Sequence, residues 1–116
     1  MDAELRRIER IADIEGTARL VNELILEARQ HADSELGDAQ FRCECGDDLC
    51  REPLDITDVR YDEIRQDAML FIVRPGHEIL DVEDVVETES GYEIVRKHET
   101  ARAAAERSNR RNRPGS

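Results

Sequence analysis

Tryptophan is absent and aromatic residues make up only 3% of the 116 positions, so any core must be built from Ile, Leu, Val and Ala, with Phe41, Tyr61, Phe71 and Tyr92 as its few large pieces. A core so thin gains from a staple. No apolar run approaches the ~20 residues that span a bilayer, and the opening MDAELRRIER lacks the apolar stretch of a secretion signal. A cytoplasmic protein without a membrane segment is expected. Lysine is nearly missing: Lys97 stands alone against sixteen arginines, a coding bias of GC-rich type with no mechanism attached. Cysteine is scarce, and three is an odd number, which excludes a complete disulfide framework.

Acid is what the chain has in excess. The 28 Asp and Glu against 17 Lys and Arg give a net charge of -11, a field that repels phosphate backbones and anionic lipid. Nucleic acid and membrane surfaces are disfavoured as partners, and a protein with a basic patch is favoured. The exception is the end, RSNRRNRPGS, where Arg107, Arg110, Arg111 and Arg113 have no acid among them. Solvated disorder is the expectation for that segment, with a nucleic-acid-contacting arm as the alternative. The length suits one domain. It divides into an N-terminal helical segment (1–34), an α+β core (35–100) and a basic tail (101–116).

Along the first segment, Ile11, Ile14, Ala18, Val21, Ile25, Ala28 and Ala32 recur at spacings of three and four, which predicts a long amphipathic helix. Gly16, followed by Thr17 as a candidate N-cap, marks a candidate break. The stripe suits packing on the chain's own sheet, with a homodimer through the 11–32 helix as the rival reading. SELGDAQ supplies a turn, EPLDIT a brief edge strand, and Thr57 a cap for the short helix DVRYDEIRQDA, whose apolar face is Val59, Ile64 and Ala68. MLFIV, bounded by Arg74, Pro75 and Gly76, reads as a buried strand, and EDVVET and GYEIVRKH read as a hairpin about ESG. The expected fold is α+β: helices on a small, mainly antiparallel sheet.

FRCECGDDLC gathers all three cysteines within eight positions. In an extended chain Phe41, Cys43 and Cys45 share one face, and Arg42 and Glu44 share the other. Gly46, Asp47 and Asp48 are turn formers that can carry Cys50 back to the same point. Three thiolates then leave one corner of a tetrahedron open, and Zn2+ accepts a Cys3His set. His77, just after the turn that ends the buried strand, is the preferred fourth ligand over His31 and His98, with Asp47, Asp48 or water as substitutes. Acidic neighbours disfavour free thiolates, so without a metal the thiols should be mostly protonated. A cation reverses that balance, leaving a centre of about -1 overall. Copper(I), a thiol-redox pair and inert core cysteines are the competing readings.

The pieces FRCECGDDLC, YDEIR, PGHE and VEDVVETESGYEIVRK, with Asn22 and Glu23 in the preceding helix, together resemble a family of small, largely uncharacterised actinobacterial proteins. Its pattern runs Cys-Glu-Cys, a third cysteine, a Tyr-x-x-Arg helix, Pro-Gly-His and a closing Gly-Tyr hairpin. The resemblance covers about residues 18 to 98. Tyr61 and Arg65 are one residue further apart than that pattern has them. The resemblance implies that Cys43, Cys45, Cys50 and His77 act together, and it implies no activity.

The expected function is that of a non-catalytic domain stapled by one structural Zn2+ per chain and engaged in protein–protein interaction or regulation. A small zinc-dependent hydrolase or thiol-redox enzyme is the alternative. Glu44 and Glu78 would be its candidate bases, although each reads first as a solvated acid on the outer face of its strand.

Overall fold

Turn and cap chemistry sets the element boundaries in the computed structural model, which describes residues 2–31, 39–109 and 111. The predicted turn over 34–38 and Ala32 lie outside the described residues. The architecture is α+β, as expected, but the strands form two antiparallel sheets. In one, β1 (Ala39–Arg42) pairs with β2 (Pro53–Ile56), placing Phe41 opposite Leu54. In the other, β5 (Tyr92–Lys97) lies between β3 (Leu70–Val73) and β4 (Glu83–Glu89). The β4–β5 hairpin reverses where Gly91 takes a φ of +93°, a region that L side chains rarely enter.

Between the sheets runs α2 (Asp58–Ile64), whose N-cap is Thr57: its hydroxyl oxygen accepts from the Arg60 amide at 3.1 Å. The buried face of α2 is Tyr61 and Ile64, whereas Val59 is 73% exposed. Tyr61 replaces Val59 there because its ring stacks on Phe41, with centroids 4.3 Å apart.

The candidate break at Gly16 does not occur. α1 (Asp2–His31) passes through it unbroken, and the Thr17 hydroxyl donates back to the Asp13 carbonyl instead of capping. Gly16 answers a packing need: a Cβ there would lie 2.7 Å from the Ser108 Cβ. Ser108 follows α3 (Arg102–Arg107), which a 3-10 turn (Glu99–Ala101) joins to β5. The segment expected to be a disordered tail is therefore in part a packed helix. Ala101 and Ala105, four apart, are buried, as is Asn109. Arg111 pairs with Glu23 at 3.0 Å and with Asp62 at 2.7 Å. The arginines that suggested a solvated arm include one whose carboxylate partners come from α1 and α2. Arg110, Arg113 and the rest of 112–116 lie outside the described residues.

The buried face of α1 is also turned from the expected stripe. Ile11 and Ala18 are buried, but Ile14, Val21 and Ile25 are half-buried and Ala28 is exposed. Glu15, Arg19, Asn22, Glu23 and Leu26 occupy the interior instead. Polar partners explain this. The Lys97 ammonium sits 2.5 Å from Glu15 and 3.2 Å from Glu83. Arg19 donates to the carbonyls of Ala68 and Ala105 and to the Ser108 hydroxyl at 2.6–2.9 Å, with its guanidinium 4.1 Å from the Phe71 ring centroid. Arg65 donates to Glu23 at 2.9 Å and to Asn109 at 2.6 Å. Each charge taken from water has a partner, as burial requires.

Replacing Gly16 by Ala separates the two roles of that residue. In a continuous helix with open space beside Gly16 the change would stabilise by ~1 kcal/mol through helix propensity. Against Ser108 it should cost about 1–2 kcal/mol net in urea unfolding, and it should cost less in an S108G background, where the opposing Cβ is gone, than in the parent.

Burial and the nearby Glu83 carboxylate hold the Glu15 pKa well above its ordinary 4.5. The folded state thus keeps the Glu15 proton to higher pH than the unfolded chain does, so this residue's contribution to stability falls as pH rises above about 4.5 through the raised value. E15Q should remove that slope. Relative to the parent, its unfolding free energy should rise between pH 5 and pH 8; a constant difference would contradict the raised pKa.

Candidate metal centre

Four ligand atoms from three separate segments converge on one point. Beyond β1 the chain stays extended: the Cys43 amide donates to the Glu52 carbonyl at 2.9 Å, and the Glu44 amide donates to the Ile72 carbonyl at 2.7 Å, joining the two sheets. Alternation then places Cys43 and Cys45 on a common side. The loop after Cys45 turns on Asp47, whose carboxylate accepts from the Leu49 amide at 2.9 Å and whose carbonyl accepts from the Cys50 amide at 3.1 Å. Gly46 permits the close approach of this loop, because a Cβ there would lie 2.8 Å from Ile11 and 2.9 Å from Ile79. His77 arrives from the turn after β3, where Gly76 has a φ of +94° and the His77 amide donates to the Arg74 carbonyl at 2.9 Å.

The three Sγ atoms and one imidazole nitrogen all lie within 4.8 Å of one another. His77 Nδ1 is 3.6 Å from both Cys43 Sγ and Cys50 Sγ. A tetrahedral site with Zn–S bonds of about 2.3 Å has S···S edges of roughly 3.8 Å, so a small contraction fits the cluster to an ion. The cysteines are buried and His77 is half-buried. Among the described residues no other such group converges in this way. His98 is engaged elsewhere, 3.2 Å from Asp84, and His31 is exposed at the end of α1. Neither Asp47 nor Asp48 belongs to the cluster. The four residues that the sequence reading singled out lie close enough to one another to bind a metal ion.

The thiols are not equivalent. A hydrogen bond from Cys43 lowers the pKa of Cys45 to about 5 despite burial, aided by the Asp47 amide. The same bond and burial push Cys43 up, while burial pushes Cys50 up. Two of the three thiols are thus protonated near neutral pH, as expected, and Cys45 departs from the expectation because its neighbours donate to it. The Arg74 amide, 3.2 Å from Cys43 Sγ, supplies a further donor. A cation entering here would displace protons from Cys43 and Cys50, weakening apparent affinity by roughly tenfold per pH unit for each proton on acidification.

Glu44 corrects the sequence reading. Its carboxylate is fully buried on the opposite side of the chain from the cysteines. Oε2 accepts from Asn22 Nδ2 at 2.8 Å and from the Tyr61 hydroxyl at 2.7 Å, and Oε1 accepts from the Ile72 amide at 3.0 Å. Burial raises its pKa, and these three donors oppose that rise. It is neither a solvated acid nor placed to serve as a base at the cysteines. Asn22 extends the arrangement, accepting from the Arg42 amide at 2.7 Å and donating to the Arg42 carbonyl at 2.8 Å as a neighbouring strand would. The sequence signal for this was weak: Asn22 and Tyr61 are the polar residues whose faces turn inward beside the motif. Glu78 lies beside His77 in a shallow groove of about 350 Å³ and accepts from the Gly76 amide at 2.8 Å.

Comparison with family models, with curated proteins and with solved structures finds no match. The chemistry of the site rests on its own donors.

E44Q tests the anchoring. All three groups facing the carboxylate are donors, so the new amide NH2 meets donors where an acceptor stood. A loss of about 2–4 kcal/mol in denaturant unfolding is expected, together with weaker Zn2+ binding in competition titrations. Unchanged stability would separate Glu44 from the framework.

Proposed function

We propose that the chain is a non-catalytic domain stapled by one structural Zn2+, bound through Cys43, Cys45, Cys50 and His77, and that it acts by binding another protein. The single observation that carries this reading is the convergence of four soft or borderline donors within 4.8 Å, enough to fill every corner of a tetrahedron from protein alone. Zinc is preferred to copper(I) because an imidazole completes the set, and to an iron–sulfur cluster because such clusters usually take four thiolates. Three thiolates and one neutral imidazole on a divalent ion carry about -1 overall, which Arg74 and Arg51 offset nearby.

A structural role agrees with the rest of the chain. The aromatic content of 3% leaves the interior short of large apolar groups, so metal binding would add folding free energy that packing does not supply. No described helix is long and apolar enough to cross a membrane. A net charge of -11 suits a partner with a basic patch and a cytoplasmic setting. An enzymatic zinc would need an open corner and a base. Glu44 spends both oxygens on the framework, which leaves Asp47 and Glu78 as the acids lining the groove beside the cluster.

Native mass spectrometry of protein purified without added zinc should show one zinc per chain. A chelator should then unfold the domain, and H77A should bind Zn2+ about 10–100-fold more weakly with a matching loss of thermal stability. Less than one metal per chain, together with a fold that survives chelation, would overturn the structural reading. Retention of metal and fold in H77A would point to an open site.

A further inference from the structure

The polar interior of α1 leaves a different side of the helix facing outward. Asp13, Thr17, Leu20, Leu24, Glu27 and His31 follow one another at spacings of four and three, and every one of them is exposed. This is a seam in the heptad sense, seven residues per two turns, and it lies apart from the stripe that the apolar residues alone suggest. Leu20 is 39% exposed and Leu24 50%, both on a well-formed helix. Beside them α1 and α3 enclose an open groove of about 880 Å³, lined by Gly16, Thr17, Leu20, Leu24, Ala104 and Ser108, with Asp13 and Arg107 as its charged members.

We propose that this seam is a homodimer contact, in which α1 packs antiparallel against α1 of a second copy of the chain. The order of residues argues for a second copy. A twofold axis midway between Leu20 and Leu24 places Leu20 of one protomer on Leu24 of the other, Thr17 on Glu27, and Asp13 on His31. The two apolar positions meet only each other, and each acid meets a neutral hydrogen-bonding or imidazole group. The parallel arrangement instead stacks Asp13 on Asp13 and Glu27 on Glu27, like charges in a chain already at -11. Arg107, lining the same groove, brings a cation to the carboxylates of the approaching helix. Gly16 and Ala104, two of the smallest residues, line the same groove. The interface is isologous and centred on four leucines, which places it among weak, reversible associations.

The contact involves none of the metal-cluster residues, so it stands or falls independently of the zinc reading. Sedimentation of the chain as purified, from ~10 μM to ~1 mM, should show a weight-average mass rising from 13.3 kDa towards twice that value. The double variant L20S/L24S should stay at 13.3 kDa throughout with unchanged circular dichroism and zinc content. L24Q alone should weaken association roughly fivefold or more. L49S and L80S alter leucines that are 82% and 64% exposed elsewhere and should leave the mass curve unchanged. T17K, which the antiparallel order sets beside the partner's Glu27, should strengthen association; weakening would overturn that order. A parent chain that remains monomeric at every concentration, or association lost in L49S or L80S and kept in L20S/L24S, would overturn the proposal.

Discussion

The framework that holds Cys43 and Cys45 depends on one buried carboxylate, that of Glu44. An extended chain must alternate, so placing Cys43 and Cys45 on one side forces residue 44 to the other. Here both sides are interior. A carboxylate in that position costs several kcal/mol unless donors surround it, and the donors come from three elements: Asn22 on α1, the Tyr61 hydroxyl on α2 and the Ile72 amide on β3. The demand of one charge thus fixes the helix, the second sheet and the loop relative to one another. The two sheets meet at the same residue through its main chain, since the Glu44 amide bonds to Ile72. A cysteine pair held this way presents its sulfurs with little freedom left to lose when an ion binds.

The same solution recurs through the interior. Where a typical small domain packs aromatic and branched side chains, this one threads ionisable groups: Lys97 between Glu15 and Glu83, Arg65 between Glu23 and Asn109, and Arg19 against carbonyls and the Phe71 face. Such pairs seldom add much net stability, because the cost of desolvation nearly cancels the attraction. Their contribution is geometric, since each charge accepts few alternative arrangements. Glu15 Oε2, Arg19 Nε and Arg65 Nη1 are buried without a hydrogen-bond partner among the described residues, so the network is not fully satisfied. Buried pairs of this kind add little net stability, so an ion held at the cluster would contribute folding free energy that they do not supply.

These facts decide how much the sequence could show. Period-two alternation, the Thr57 cap and the glycine turn after Ser90 made the strands and α2 legible, and turn chemistry after β3 singled out His77. Each of those signals is local. The buried face of α1 was not legible, because reading apolar residues as interior is a one-way inference: Arg19, Glu15 and Asn22 are inside by virtue of partners more than forty residues away or on other elements. Gly16 misled for a related reason. A glycine in a helix signals either a break or a close approach, and only the position of Ser108 distinguishes them. Arg111 and Asn109 read as solvated tail until Glu23 and Arg65 are seen beside them.

The solitary lysine follows from the same physics. Sixteen basic side chains of the chain are arginine, and the buried ones among them meet acceptors that suit a planar fork: Arg19 reaches a carbonyl with one terminal nitrogen and a carbonyl and a hydroxyl with the other. Position 97 poses a different problem. Its head group must satisfy Glu15 from α1 and Glu83 from β4 at a single point, 2.5 and 3.2 Å away, in a space with no exposed outlet. A compact ammonium with freely rotating donors fits that point, and a guanidinium would bring unpaired N–H groups into the same volume. What looks like an accident of coding is therefore also a geometric requirement: among the described residues, Lys97 is the buried cation whose acceptors converge on a point.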